Sequence, residues 1–200
     1  MKALLLSGGL DSCALGWWKR PDLAVTVDYG QRAAEGEIAA ACAVAAELGI
    51  RHEVVAVDLS ALGTGALSHR AAVSEAPAAE WWPYRNQMLV TLAAMRFAGE
   101  GLSEIMIGAV ATDFYADARP AFIRALDKAL AVQESHVRLT APARWMSTLT
   151  LLRKARFPSE LLGLTFSCDV NPYACGRCGS CQKRAALIEQ YVRHTKAVTG

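Results

Sequence analysis

No hydrophobic run in the 200-residue sequence approaches the roughly 20 residues a membrane helix needs. Apolar stretches such as Ala3-Leu4-Leu5-Leu6 and Ile105-Met106-Ile107-Gly108-Ala109-Val110-Ala111 are far shorter. A secretory leader is not expected either, because Met1-Lys2 lead straight into a glycine loop. Charge of one sign is also lacking. The 21 Lys plus Arg and 19 Asp plus Glu leave a formal charge of +2, which argues against a nucleic-acid footprint and favours small substrates. The 15 Gly and 7 Pro are scattered rather than clustered, and no internal repeat is present. With 53% hydrophobic and 20% charged residues, the disordered, collagen-like and low-complexity classes drop out. What remains is a chain sized for one folded domain, or a domain with a small appendage.

Periodicity then assigns the elements. Ala3 to Leu6 is a short apolar run of the kind buried on both faces, and it ends at a glycine pair before an expected helix. Leu23 to Tyr29 and His52 to Leu59 predict further strands, with an alanine-rich helix over Ala33 to Leu48 between them. Arg85 to Phe97 predicts a helix, Glu104 to Ala109 a strand, Pro120 to Val132 a helix with Pro in its first turn, and Val137 to Thr140 a strand. This alternation predicts an α/β fold, a doubly wound parallel sheet covered on both faces. Residues 1–146 are expected to form that domain. Residues 147–200 are expected to form a small region of short helices around a cysteine cluster. The stretch Ser60 to Tyr84 shows no sustained period and reads as a lid.

Ser7-Gly8-Gly9-Leu10-Asp11-Ser12 stands where the first strand meets the first helix, at the carboxyl edge where such sheets bind ligands. Paired glycines let a backbone curl around phosphate oxygens, and the following helix aims unpaired N–H groups at an anion. Asp11 suits this setting if Mg²⁺ is present or if its carboxylate accepts helix N-terminal N–H groups. The alternative is a tight turn that needs glycine only for its backbone. The loop has neither the Gly-Lys-Ser/Thr of a P-loop kinase nor the spacing of a dinucleotide fingerprint.

Six cysteines are present, and Cys168, Cys175, Cys178 and Cys181 fall within fourteen residues. Two Cys-x-x-Cys steps with intervening glycines suit tetrahedral coordination, so zinc is expected, closed by four protein ligands and therefore structural. An iron–sulfur cluster is the alternative. Disulfides fit poorly with the missing leader, and a reducing cytoplasm is the expected location.

The glycine hexapeptide resembles the Ser-Gly-Gly-x-Asp-Ser loop of the PP-loop ATP pyrophosphatases, whose fold is that of the adenine nucleotide alpha hydrolases. Further motifs narrow the resemblance: Asp28-Tyr29-Gly30-Gln31-Arg32, Pro83-x-Arg85-Asn86, Thr112-Asp113-Phe114, Asp117-x-Arg119-Pro120 and the terminal cysteines. In this order they are similar to the 7-cyano-7-deazaguanine synthase family of queuosine precursor biosynthesis. The resemblance implies a ligase that uses ATP to adenylate the carboxylate of 7-carboxy-7-deazaguanine, ammonia to give an amide, and ATP again to dehydrate it to the nitrile. It implies that Leu6, Ser7, Gly8, Gly9, Leu10, Asp11, Ser12 and Cys13 bind ATP, and that Asp11, Arg85 and Asp113 are catalytic. Arg85, Asn86, Asp117 and Arg119 would bind the acceptor, Mg²⁺ would assist, and the chain would form a homodimer.

The sequence departs from the family pattern at Ala33, where His is usual, and in a shortened loop between Asp113 and Asp117. Thr148-Leu149-Thr150 replace a Lys-Ala-Glu pattern, and Asp169 stands where Tyr usually follows the first zinc cysteine. The altered loop at Tyr115 motivates a second reading, an enzyme that adenylates a deazapurine acid and stops at the amide or passes the acyl group to another amine, even one on a protein. A third is an RNA-binding zinc protein, supported by Arg177, Lys183 and Arg184 alone. Trp17 and Trp18 are expected to pack under the sheet. Trp81 and Trp82 belong to the lid, and the four histidines read as structural or surface residues.

Overall fold

The computed structural model describes residues 1–199, with side chains through Thr195, so the end of the expected 147–200 region lies outside the described residues. Strands β1 (Lys2–Leu5), β2 (Leu23–Asp28), β3 (Arg51–Ala56), β4 (Glu104–Met106) and β5 (Arg138–Thr140) form one parallel sheet in the order β3-β2-β1-β4-β5. The chain winds outward from β1 to β3 and resumes at β4 on the other side of β1. The direction therefore switches between β1 and β4, the place where doubly wound sheets open a crevice.

Side chains alternate along each strand, and the two faces follow from that. Leu4, Leu6, Ala24 and Met106 face a core covered by α1 (Leu10–Lys19), α2 (Ala34–Leu48), α5 (Thr148–Ala155) and α6 (Gly179–Thr199). Ala3, Leu23, Val25 and Ile105 face a second core covered by α3 (Arg85–Phe97) and α4 (Pro120–Ala131). Leu151, Leu152 and Tyr191 share the first core with Leu4, so the cysteine-bearing end is packed onto the same sheet. Among the described residues no helix is long and apolar enough to cross a membrane.

Two expectations need correction. The C-terminal region holds a long helix, not only short ones: α6 runs through 21 residues. After Cys181 no glycine or proline interrupts it before Gly200, and Cys181, Arg184, Leu187, Ile188 and Tyr191 recur at helical spacing on its inner side. Trp17 and Trp18 pack at the seam of α1 and α5 instead of under the sheet, because Leu10, Cys13 and Ala14 take the buried face of α1. There Trp17 meets Phe157 edge-on at 6.2 Å, and Lys19 and Lys154 lie over Trp18. The Ser60 to Tyr84 stretch contains two short 3-10 turns, Ser60–Leu62 and Gly65–Leu67. It is docked through Arg32 N–H to the Leu67 carbonyl (2.9 Å) and through Trp82, buried edge-on to Tyr29 at 5.0 Å.

Candidate active site

Between the end of β1 and the start of α1 the backbone must reverse at the carboxyl edge beside the switch point. Gly8 does this with φ +75°, and a Cβ there would lie 2.7 Å from the Cβ of Ala40 on α2. Both backbone and neighbour therefore exclude a side chain. Ser12 braces the turn: its hydroxyl donates to the Gly9 carbonyl (3.1 Å), accepts the Ser7 N–H (3.3 Å) and lies 3.2 Å from the Ser7 hydroxyl. Gly9 occupies the N-cap of α1 and supplies no side-chain cap, so the first N–H groups of the helix keep their attraction for an anion.

Asp11 lies in that first turn. Its Oδ1 is buried without a hydrogen-bond partner among the described residues, and so is Oγ1 of Thr148 at the start of α5. Burial pushes the Asp11 carboxyl up from 3.8 to about 6. Thr148 stands near enough to oppose the rise, though outside hydrogen-bond geometry. Asp113 adds to the rise and Lys183 opposes it. An orphaned buried carboxylate oxygen next to a helix N-terminus fits a cation brought in with phosphate.

The loop opens on a cavity of about 630 Å³ that also takes in Arg85, Asn86 and Asp117. Asn86 Nδ2 donates to Asp117 Oδ2 at 2.7 Å, linking the start of α3 to the turn before α4. Burial, the largest influence on Arg85, disfavours its cation, but Tyr29, Glu37, Asp117 and Tyr115 together hold its pKa above the ordinary value. Asp117 is raised by burial, with Arg85 and then Asn86 opposing. Glu37 is likewise raised by burial and steadied by Gln31, whose Nε2 donates to it at 2.7 Å while its Oε1 accepts the Tyr29 N–H at 2.9 Å. Tyr115 donates to Glu80 at 2.6 Å, joining the loop after β4 to the docked stretch. Asp113 accepts the Val110 N–H at 2.9 Å and so shapes the turn that lines the crevice.

The thiols of Cys168, Cys175, Cys178 and Cys181 converge with all sulfurs within 4.8 Å of one another. A tetrahedral site with metal–sulfur bonds of about 2.3 Å places its sulfurs roughly 3.8 Å apart, and Cys175 and Cys181 already stand at 4.0 Å. The N–H groups of Cys178 and Cys181 point at the sulfurs of Cys175 (3.3 Å) and Cys178 (3.4 Å), an arrangement that favours thiolates. The amides of Arg177 and Cys178 pull the Cys175 thiol down to about 6. The cluster can hold a metal ion, and its donor set is consistent with zinc. It also borders the cavity, because Cys178, Gly179, Ser180 and Lys183 belong to the cavity lining.

Residues 2–192 match the family described as queuosine biosynthesis protein QueC. The chain belongs to the QueC family. It is similar to the 7-cyano-7-deazaguanine synthase of Azotobacter vinelandii, with 35% identity covering 92% of this chain and 91% of that protein. The enzymes of the same name from Pseudomonas aeruginosa strain LESB58 and Xanthomonas campestris pv. campestris strain B100 are each 34% identical, over 91% and 92% of this chain and 90% of each relative.

In this QueC-family chain the residues read from the sequence are not all brought together. Leu6, Ser7, Gly9, Leu10, Asp11 and Ser12 line the cavity, whereas Gly8 packs on α2. Cys13 faces the core, where burial pushes its thiol up to about 12, and its side chain is not part of the cavity lining. Arg85, Asn86, Asp113 and Asp117 line the cavity. Arg119 does not: it is the N-cap residue of α4, and its exposed side chain lies outside the lining. Asp117 is half-buried in the lining, and Arg119 stands exposed at the start of α4.

Sequence reasoning missed Glu37, Glu80 and the cavity position of Asp169. A signal for Glu37 exists, since it interrupts the buried stripe Ala33, Ala40, Ala41, Val44 of an alanine-rich helix. Burial raises Asp169, with Ser180 the main opposing partner and Glu80 adding to the rise. No local pattern would have paired it with Glu80, far away in the chain.

Proposed function

We propose that this QueC-family chain is a 7-cyano-7-deazaguanine synthase, an ATP-dependent ligase of queuosine precursor biosynthesis. The observation that carries the reading is the shared cavity, in which an anion-accepting glycine loop and the Arg85–Asn86–Asp117 group meet beside the sheet's switch point. A carboxylate resists attack until one of its oxygens becomes a leaving group. Its attack on the α-phosphorus of ATP releases pyrophosphate and makes a mixed anhydride with AMP. Ammonia then displaces AMP to give the amide and a proton. The amide oxygen attacks a second ATP, releasing pyrophosphate again, and loss of AMP and both nitrogen protons leaves the nitrile.

In this reading the residues act by position and charge more than by covalent chemistry. The Ser7 to Ser12 turn and the start of α1 hold the polyphosphate. Asp11, with its orphaned oxygen, and Asp113 would hold Mg²⁺, which neutralises phosphate charge when bound. Arg85 pairs with the substrate carboxylate, and Asn86 with Asp117 reads the polar edge of the deazapurine. Cys168, Cys175, Cys178 and Cys181 hold structural zinc, which supplies folding energy and no open position.

The test is product analysis by mass spectrometry after supplying ATP, ammonia and 7-carboxy-7-deazaguanine. Nitrile with two AMP per turnover supports the reading. Amide with one AMP would place the chain with enzymes that stop at the amide.

A further inference from the structure

We propose that Lys183 binds the polyphosphate of the nucleotide, reaching it from the α6 wall of the cavity. This rests on the nucleotide reading above and adds a residue to it. Positive charge is scarce in the cavity. Neither the glycine turn, Ser7 to Ser12, nor the start of α5, Ser147 to Thr150, contains Lys or Arg. The cavity lining carries the carboxylates of Asp11, Glu37, Glu80, Asp113, Asp117 and Asp169. Against these six it offers three cations, Arg85, Lys183 and Arg184. A triphosphate entering this lining carries more negative charge than helix dipoles and one divalent cation offset.

Two of the three cations are already committed. Arg85 stands among Tyr29, Glu37 and Asp117, and its Nε points to Asn86 Oδ1 at 3.4 Å. Arg184 donates through Nε to Thr165 Oγ1 at 2.9 Å and through Nη2 to the Leu162 carbonyl at 2.8 Å. Lys183 is the cavity cation for which the described residues provide neither a hydrogen bond nor an ion pair. It lines the same cavity as Ser7, Gly9, Asp11 and Ser12 of the glycine turn. Its stem leaves α6 two residues after Cys181, next to the cysteine cluster in the chain. An exposed head on a flexible stem can close on a phosphate and release it, which suits an enzyme that must discharge pyrophosphate twice per nitrile.

The experiment is calorimetric titration of inorganic pyrophosphate with Mg²⁺, and separately of 7-carboxy-7-deazaguanine, into the metal-loaded full chain and its Lys183→Met and Lys183→Arg variants. Lys183→Met should weaken pyrophosphate binding by about tenfold or more and flatten its dependence on salt, while Lys183→Arg keeps most of the affinity. The affinity for the acid should stay within about twofold, and metal content and circular dichroism should match the unsubstituted chain. Unchanged pyrophosphate affinity in Lys183→Met overturns the proposal while leaving the nucleotide reading intact. An equal loss for pyrophosphate and acid also overturns it. If the unsubstituted chain binds neither pyrophosphate nor ATP, the nucleotide reading itself falls.

Discussion

The Phe166 N–H donates to the Gly8 carbonyl at 2.8 Å, fastening the segment that leads to the first cysteine onto the glycine turn. Gly36 on α2 makes room for the same segment, because a Cβ there would run into the Phe166 ring and the Pro172 carbonyl. The turn is therefore framed by α2 on one side and by the cysteine-bearing end on another, and Gly8 sits where the two meet.

Replacing Gly8 by Ala should destabilise the fold by about 2 kcal/mol or more. The left-handed backbone alone costs roughly 1 to 2 kcal/mol for a residue with a Cβ, and the contact with Ala40 adds to that. Urea denaturation measures it, and a midpoint equal to that of the unsubstituted chain would show that α2 yields freely.

Asp11→Asn should separate stability from activity. The carboxyl titrates near 6 in the folded chain against an ordinary 3.8, so above pH 6 folding must bury a charge that the unfolded chain keeps hydrated. That penalty is fully present above about pH 6, shrinks as the pH falls, and is gone below 3.8. The variant should therefore be more stable by ~1–3 kcal/mol at pH 8, with the gain vanishing toward pH 3.5. Its release of pyrophosphate from ATP should fall at least a hundredfold, roughly the loss expected for a group that neutralises transition-state charge. Thermal unfolding at both pH values and a pyrophosphate assay check the two halves independently.

One metal ion should bind per chain, and elemental analysis should find zinc. Cys175→Ser or a strong chelator should lower the melting temperature and the soluble yield, because the ion organises the start of α6 and with it one wall of the cavity. Iron with sulfide in the analysis, or an unchanged melting curve after metal removal, would contradict this.

Asp117→Ala should weaken binding of the deazapurine acid by roughly tenfold or more, since Asn86 then loses its partner in a half-buried site. Arg119→Ala should change that affinity little, because the side chain lies outside the cavity lining. Calorimetry on both variants distinguishes them, and a large loss in Arg119→Ala would mean that the turn before α4 rearranges around substrate.

Several features were legible in the sequence because their causes are local. The apolar run before Ser7, the alanine stripe of α2 and the Pro-led start of α4 each follow from short-range periodicity and capping. Their alternation implies the parallel sheet, and the structure has it in the order β3-β2-β1-β4-β5. The cysteine spacing, too, announces a cluster without any knowledge of the fold. Tertiary structure alone decided the rest. Which face of α2 carries Glu37 toward Arg85, the pairing of Tyr115 with Glu80, and the exclusion of Arg119 depend on elements distant in sequence meeting at one sheet edge. The same holds for α6, whose first turn becomes a cavity wall only because the segment before Cys168 is tied to Gly8 and Tyr191 is buried against Leu152 and Phe157. Spacing along a chain records which residues can share a helix face or a metal. It carries no information on which surfaces long-range packing will bring together, and in this chain that packing decides which charged groups share the cavity.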